Sequence, residues 1–166
     1  MKSIIIIPAR YGSSRFEGKP LFKILGTEMV IRVANICAKV VGKENLYVAT
    51  DNKKISKVVI SNGYKAIMTS TKCLTGTDRV AEAALKVKSD IYVNVQGDEP
   101  TINPKDIKKI IVAKIKYPNH IICGYDKVHK FENPESINLP KVVVNHQKEL
   151  IYISRALVPG KKKKEE

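Results

Sequence analysis

The chain opens with Met1 to Leu21, MKSIIIIPARYGSSRFEGKPL, and this stretch predicts the fold. Four consecutive β-branched residues, Ile4 to Ile7, form a run too short for a membrane span and too uniform for a half-exposed strand. Such a run is typical of a central strand in a parallel sheet covered on both faces. We expect Pro8 to end the strand, because proline has no N–H for the sheet ladder. The glycine- and serine-bearing loop that follows is typical of a phosphate site at a strand's carboxyl end, and its basic residues are Arg10, Arg15 and Lys19.

The rest of the chain alternates between strand and helix patterns. Short apolar runs predict strands at 46–50, 64–68, 91–95 and 121–124, and helical spacing predicts helices that begin near residues 27, 52, 78 and 104. A late antiparallel hairpin is predicted from 141–144 and 150–154. We expect Asp51 to cap the second helix, and Thr75, Thr77 or Asp78 to cap the third. The alternation predicts a three-layer, Rossmann-like α/β fold with a mainly parallel sheet, whose polar loops meet along one edge. Those loops are 9–19, 50–51 and 96–99.

The composition is that of a globular chain, with 166 residues of which 43% are hydrophobic. This length predicts a single domain over residues 1–160, followed by a disordered lysine-rich tail over 161–166. We expect no membrane segment and no signal peptide. The cysteines Cys37, Cys73 and Cys123 fit neither a disulfide framework nor a CxxC metal site, which indicates a reducing, cytoplasmic location.

The net charge of +14 favours anionic partners such as nucleotides or nucleic acid. The final KKKKEE contributes +2, so the remaining residues carry +12. A lysine-rich proteome would explain this charge equally well. The lysines are spread over nearly every predicted helix, and no aromatic residues are interleaved with them in a base-stacking pattern. The sequence therefore does not favour nucleic acid as a partner.

Three segments carry candidate chemistry. In the first loop, Gly12 and Gly18 let the backbone approach a ligand closely, although its basic residues fit solvated surface equally well. In NVQGDEP, Asp98 follows a buried strand, where a carboxylate suits Mg²⁺, but the segment is also good turn chemistry. In LTGTDR, Arg79 lies in the first helical turn, where a cation is unfavourable. It therefore predicts a ligand or carboxylate partner, with a surface arginine as the alternative.

Several motifs together resemble one family. IIPARYGSSRFEGKPL, YVATDN, TGTDRVAEA, VNVQGDEP, PKVV and YISRALVP occur in order and at fitting intervals over almost the whole chain. The sequence resembles the CMP-Kdo synthetases, which are 3-deoxy-manno-octulosonate cytidylyltransferases. It is more loosely similar to other sugar nucleotidyltransferases of the GT-A-like, nucleotide-diphospho-sugar transferase fold.

The resemblance implies transfer of CMP from CTP to an acidic 2-keto sugar such as Kdo, with Mg²⁺ as cofactor and release of pyrophosphate, in lipopolysaccharide biosynthesis. It implies catalytic roles for Lys19, Asp98 and Arg10, with Asp98 as the metal ligand. It also implies that a further set of residues contacts the nucleotide or lies near the sugar, with Arg10 and Lys19 again on the triphosphate. The others in this set are Arg15, Gly76, Arg79 and Gln96.

The sequence departs from the family pattern in two places. Cys73 stands where the family usually has histidine, and Thr75 replaces a serine. Family members also continue beyond SRALVP, with a segment that contributes a dimer interface and a second metal-binding aspartate. We therefore expect a short member of the family in which that segment is missing. The resemblance implies a homodimer as one possible assembly, and the sequence does not decide the oligomeric state. A nucleotide-binding remnant without turnover, completed by a partner chain, is the alternative, followed by a basic nucleic-acid-binding domain.

Overall fold

The computed structural model describes residues 1–12 and 16–160. The chain folds as two compact units, Met1–Ile122 and Cys123–Glu166, and each is described by itself below. The single domain predicted for 1–160 stays a prediction. The predictions for Arg15 and for the tail 161–166 lie outside the described residues.

The first unit has a parallel sheet of four strands with helices on both faces. The elements are β1 Ser3–Ala9, β2 Lys23–Ile24, β3 Thr27–Glu28, α1 Met29–Val41, β4 Leu46–Thr50, α2 Lys53–Ser61, β5 Lys65–Met68, α3 Gly76–Ala84, β6 Ile91–Asn94 and α4 Pro104–Lys116. The order of the sheet is β5-β4-β1-β6, so β1 lies inside it. A small antiparallel pair, β2 and β3, was not predicted, because strands of two residues are too short to show a period.

The isoleucine run of β1 forms the centre of the core. Ile5 and Ile7 pack in a cluster with residues of α1, α2 and α4, whereas Ile4 and Ile6 pack with α3. Each of the four side chains is at most 1% exposed, and each such burial contributes about 1.5–3 kcal/mol. The predictions of a three-layer α/β fold and of a central strand covered on both faces are confirmed.

Pro8 does not end β1, and that prediction was wrong. Val95 donates its backbone N–H to the Ile6 carbonyl at 3.3 Å, so the backbone groups of Ile6 and Pro8, two residues apart, face β6. Pairing with β6 stops at Ile6, whereas pairing with β4 continues to Ala9. The missing N–H of Pro8 therefore faces the side where the neighbouring strand has already ended.

The helix ends follow local capping chemistry, with one correction. Asn52 caps α2 by accepting the Lys54 N–H at 2.8 Å, so the prediction that Asp51 is this cap was wrong. Thr75 caps α3, one of the predicted candidates. In α4 only Ile107 is fully buried, and Ile115 is 48% exposed.

The second unit contains the predicted antiparallel hairpin, β7 Lys141–Val144 and β8 Leu150–Ser154. The strand predicted over 121–124 is absent from the described residues, where this segment is irregular and Ile121 is 92% exposed. Among residues 1–12 and 16–160, no strand lies beside this apolar run to satisfy its backbone groups. No helix within 1–12 or 16–160 has both the length and the apolar character needed to cross a bilayer.

Candidate active site

A cleft of about 760 Å³ lies where β1 and β6 end. Four segments line it, at 8–10, 16–20, 74–79 and 96–98. Two of the three predicted polar loops, 9–19 and 96–99, contribute to this lining. Asp51, in the loop 50–51, accepts the backbone N–H of Tyr11 in the first loop at 3.4 Å. The prediction that the polar loops meet along one sheet edge is therefore confirmed. The cleft brings together six of the seven predicted site residues, Arg10, Lys19, Gly76, Arg79, Gln96 and Asp98.

Lys19 and Asp98 form an ion pair in this cleft. The Lys19 Nζ lies 2.7 Å from the Asp98 Oδ2, and the two side chains are 38% and 51% exposed. Lys19 begins a short 3-10 helix after Gly18, whose φ of 68° is a left-handed conformation that glycine adopts easily. The pair therefore presents one cation and one carboxylate side by side, both accessible to a ligand.

Gly97 allows the Asp98 loop to lie directly against β1. A Cβ atom at position 97 would lie 2.8 Å from the Pro8 carbonyl oxygen and 3.3 Å from the Ile7 Cγ2. The first of these atoms belongs to the backbone of an interior strand, so it has little freedom to move. Glycine is therefore needed here for space.

Replacing Gly97 with alanine should lower the free energy of unfolding by about 1–3 kcal/mol, because the added methyl group overlaps strand backbone. Urea unfolding followed by far-ultraviolet circular dichroism measures this change. Gly12→Ala is the matched control, since a Cβ there meets nothing within 4 Å. An unchanged urea midpoint for Gly97→Ala would contradict the close approach.

The start of α3 forms another wall of the cleft. Thr75 and Asp78 make a reciprocal capping box, in which the Asp78 N–H reaches the Thr75 hydroxyl at 3.1 Å and the Thr75 N–H reaches the Asp78 carboxylate at 2.8 Å. A Cβ at Gly76 would lie 3.3 Å from both the Gln96 Oε1 and the Pro8 Cγ. Gly76 thus lets the helix start close to the ends of β1 and β6.

Arg79 belongs to the cleft lining, yet it is almost fully buried and has a carboxylate partner. Its side chain is 2% exposed, and its Nη2 lies 2.7 Å from the Asp51 Oδ2. Its Nη1 donates to the Thr69 hydroxyl. The prediction of a ligand or carboxylate partner is met by Asp51, which sequence reasoning had placed in a helix cap. Any contact between Arg79 and a nucleotide stays a prediction.

The apolar part of the cleft was not predicted from the sequence. Phe16, Leu74, Pro8 and Pro20 line it, and the Phe16 ring meets the Phe22 ring edge-on with centroids 5.4 Å apart. Leu74 is 84% exposed. An isolated apolar residue in a polar loop has no periodicity, so only its position beside predicted site residues could have signalled this role.

The described cleft lining offers one carboxylate that could bind a divalent cation. Asp98 is the sole acidic residue among the described residues that line it. No group of three or more histidine, cysteine, aspartate or glutamate side chains suited to a metal occurs in the described part of the chain. Mg²⁺ is commonly bound by one or two carboxylates together with substrate phosphates and water. The donor set therefore fits a cation shared with a phosphate ligand and does not fit an all-protein cage.

Cys73, the departure from the family pattern, is bound to Glu82. Its Sγ lies 3.3 Å from the Glu82 Oε2. Desolvation and this hydrogen bond raise the pKa of the Cys73 thiol, which favours the unreactive protonated form. Cys73 is therefore not suited to act as a nucleophile.

The Glu82 carboxylate should make stability depend on pH. It accepts the Ser70 backbone N–H, a Lys86 Nζ donor and the Cys73 thiol, and these bonds lower the pKa of Glu82 from 4.5 to about 2. Because the folded-state pKa is depressed, its stabilising contribution is present above pH 4.5 and is lost as the pH falls towards 2. Urea midpoints at several pH values across this window should therefore fall more steeply for the natural chain than for Glu82→Gln. Parallel pH dependences for the two proteins would count against this role of Glu82.

Comparison with known proteins agrees with this geometry. The family model described as Cytidylyltransferase matches residues 4–166. The chain is 39% identical to the 3-deoxy-manno-octulosonate cytidylyltransferase of Escherichia coli, over 95% of this chain and 64% of that protein. It is 37% identical to the 8-amino-3,8-dideoxy-manno-octulosonate cytidylyltransferase of Shewanella sp. (strain ANA-3), over 96% of this chain and 67% of that protein.

Solved structures show the same relationship. The structure of CMP:2-keto-3-deoxy-manno-octonic acid synthetase complexed with CTP matches with a TM-score of 0.84 and 37% identity, over 98% of this chain and 68% of that one. A cytidylyltransferase from Leptospira borgpetersenii matches with a TM-score of 0.62 and 26% identity, over 72% of this chain and 51% of that one. The chain spans about two thirds of the length of the curated relatives named above, at 64% and 67%. On the match to residues 4–166 and these identities, the chain belongs to the cytidylyltransferase family.

Proposed function

We propose that the chain transfers CMP from CTP to an acidic 2-keto sugar such as 3-deoxy-manno-octulosonate (Kdo) and releases pyrophosphate. The observation that carries this proposal is the cleft at the end of the central strand, which brings together Arg10, Lys19, one accessible carboxylate and a helix start. The names of the relatives support the nucleotide and the class of sugar.

The basic residues supply charge for the triphosphate. Arg10 follows β1 and Lys19 follows the loop, so both enter the cleft from one segment of chain. We assign them, with Arg15, to the phosphates of CTP. Gly76 and Arg79 are assigned to the cytosine side and Gln96 to the sugar and α-phosphate.

The reaction forms a bond between an oxygen of the sugar and the α-phosphorus of CTP, and it breaks the bond from that phosphorus to the β-phosphate bridging oxygen. The sugar hydroxyl loses its proton and pyrophosphate leaves. Such a transfer depends mainly on positioning and charge neutralisation. Lys19 and Arg10 would stabilise negative charge on the departing phosphates.

We assign the cation to Asp98, and Mg²⁺ is the ion we propose. When bound there, the cation would neutralise phosphate charge beside Lys19. In the structure Lys19 and Asp98 neutralise each other at 2.7 Å. Binding of CTP would let Lys19 exchange its carboxylate partner for phosphate oxygens, which leaves Asp98 free to accept the metal.

The decisive experiment measures pyrophosphate release from CTP with Kdo, with 8-amino-3,8-dideoxy-manno-octulosonate and with neither sugar, in each case with and without Mg²⁺. Release that requires one sugar and the metal supports the proposal and identifies the sugar. Saturable CTP binding without release would instead indicate a nucleotide-binding role completed by a partner chain. Salt-sensitive oligonucleotide binding that CTP does not displace would indicate the nucleic-acid alternative.

Removal of the Lys19 amine should weaken CTP binding. A hydrogen bond to a charged group contributes about 1.5–3 kcal/mol, so Lys19→Ala should raise the dissociation constant for CTP by about tenfold or more. Isothermal titration calorimetry measures this change. Lys109→Ala removes an exposed lysine from α4, outside the lining of the cleft, and should leave CTP affinity unchanged. Equal losses in both variants would indicate a general charge effect.

The biological setting is part of the same proposal. We infer a cytoplasmic location, because all three cysteines are free thiols. We also infer a role in lipopolysaccharide biosynthesis, supported by the substrates in the names of the relatives. A homodimer is a further prediction, and light scattering of the purified chain over a range of concentrations tests it directly.

A further inference from the structure

We infer that Asp51 is a positioning residue for the phosphate-binding loop, which begins at Arg10 and ends at Lys19. It holds the start of this loop in place by accepting the backbone N–H of Tyr11. This inference rests on the proposed function, because it concerns the loop that we assign to the triphosphate. It is carried by contacts of the two carboxylate oxygens of Asp51, one to the loop and the other to a buried arginine.

The first contact places Asp51 against the loop. Its Oδ1 accepts the Tyr11 N–H at 3.4 Å, a long bond that involves an ionised acceptor. Tyr11 directly follows Arg10, and its carbonyl oxygen accepts the Gly18 N–H at 2.9 Å. This bond joins the two ends of the loop, because Gly18 immediately precedes Lys19. Asp51 therefore binds the loop at Tyr11, the residue where its two ends are joined.

The second contact orients Asp51. Its Oδ2 lies 2.7 Å from the Arg79 Nη2, and the Arg79 side chain is 2% exposed. A buried guanidinium that also donates to Thr69 has a defined position, so the carboxylate beside it cannot rotate freely. Asp51 thereby links the start of the loop to helix α3, whose first residues form another wall of the cleft.

Charge explains why Asp51 acts through another residue. A carboxylate in contact with a triphosphate would repel it, and Asp51 is not among the residues that line the cleft. Arg79 neutralises its charge, while the contact to the loop is made through a backbone N–H. Asp51 can therefore stabilise the geometry of an anion site without facing the anion.

The test compares three variants by two measurements, which are amide hydrogen exchange at Tyr11 in the nucleotide-free chain and affinity for CTP. Asp51→Ala removes the acceptor, so Tyr11 exchange should rise about tenfold and CTP affinity should fall about tenfold to a hundredfold. Asp51→Asn retains an acceptor oxygen and should restore part of both. Thr69→Val is the matched control, because it weakens the surroundings of Arg79 but keeps the contact between Asp51 and Tyr11.

Unchanged Tyr11 exchange in Asp51→Ala, or equal effects of Thr69→Val and Asp51→Ala, would overturn the inference. If Asp51→Ala does not fold, Asp51→Asn decides by whether its Tyr11 exchange exceeds that of Thr69→Val. If the natural chain does not bind CTP, the proposed function fails, and Tyr11 exchange still decides the role of Asp51 in the loop.

Discussion

Replacing Arg79 with methionine should lower the free energy of unfolding by about 3–5 kcal/mol, because breaking a buried ion pair leaves its carboxylate uncompensated. The Asp51 side chain is 15% exposed, so some water can still solvate it and we expect a value near the lower end. Thr69 also loses its arginine donor. The chain has no tryptophan, so urea unfolding is best followed by far-ultraviolet circular dichroism.

The double variant Arg79→Met, Asp51→Asn separates the pair from its surroundings. With the charge of Asp51 removed, part of the lost stability should return, and the double-mutant cycle gives the coupling energy. Lys109→Met is the control, since it breaks an exposed pair with Asp106 whose side chains are 78% and 58% exposed. It should cost less than about 1 kcal/mol. A loss this small for Arg79→Met would show that the buried pair contributes little.

Replacing Asp98 with asparagine should have a large effect on the reaction rate and a small effect on stability, whereas Arg79→Met is expected to have a large effect on stability. In the proposed reaction it removes the carboxylate assigned to the cation, so pyrophosphate release should fall about 100-fold to 1000-fold. The Lys19–Asp98 pair is half exposed, so the free energy of unfolding should change by less than about 1 kcal/mol. Initial rates at a series of Mg²⁺ concentrations, together with urea unfolding, measure both quantities.

Asp106→Asn is the matched control for this prediction, because it breaks another exposed lysine–aspartate pair, on α4 and outside the cleft lining. It should leave pyrophosphate release unchanged. A rate for Asp98→Asn within threefold of the natural chain, which is under about 0.7 kcal/mol of activation free energy, would remove Asp98 from the mechanism.

The order of strands and helices was predictable because each element carries a local signal. The run Ile4 to Ile7 predicted an interior strand, and residues 46–50 form β4 with the predicted bounds. The hairpin of β7 and β8 also follows its alternating pattern. Errors arose where a neighbour decides the outcome. Pro8 remains in a strand because β6 has ended beside it. Residues 121–124 have the composition of a strand, but the described part of the chain offers them no partner strand.

For the candidate site, too, some features were predictable from the sequence and others depended on the tertiary structure. From the sequence alone it was possible to predict which residue types stand at the ends of β1 and β6, because a basic glycine-bearing loop and a Gly-Asp pair are visible in the chain itself. The sequence also determined the family, because its motifs keep their order and spacing. Only the tertiary structure paired Lys19 with Asp98 and Arg79 with Asp51, across 79 and 28 positions. The alternation of strands and helices predicted that the loops at the strand ends meet along one edge of the sheet. It could not predict which side chains of those loops come within bonding distance, because that depends on the packing of residues far apart in sequence.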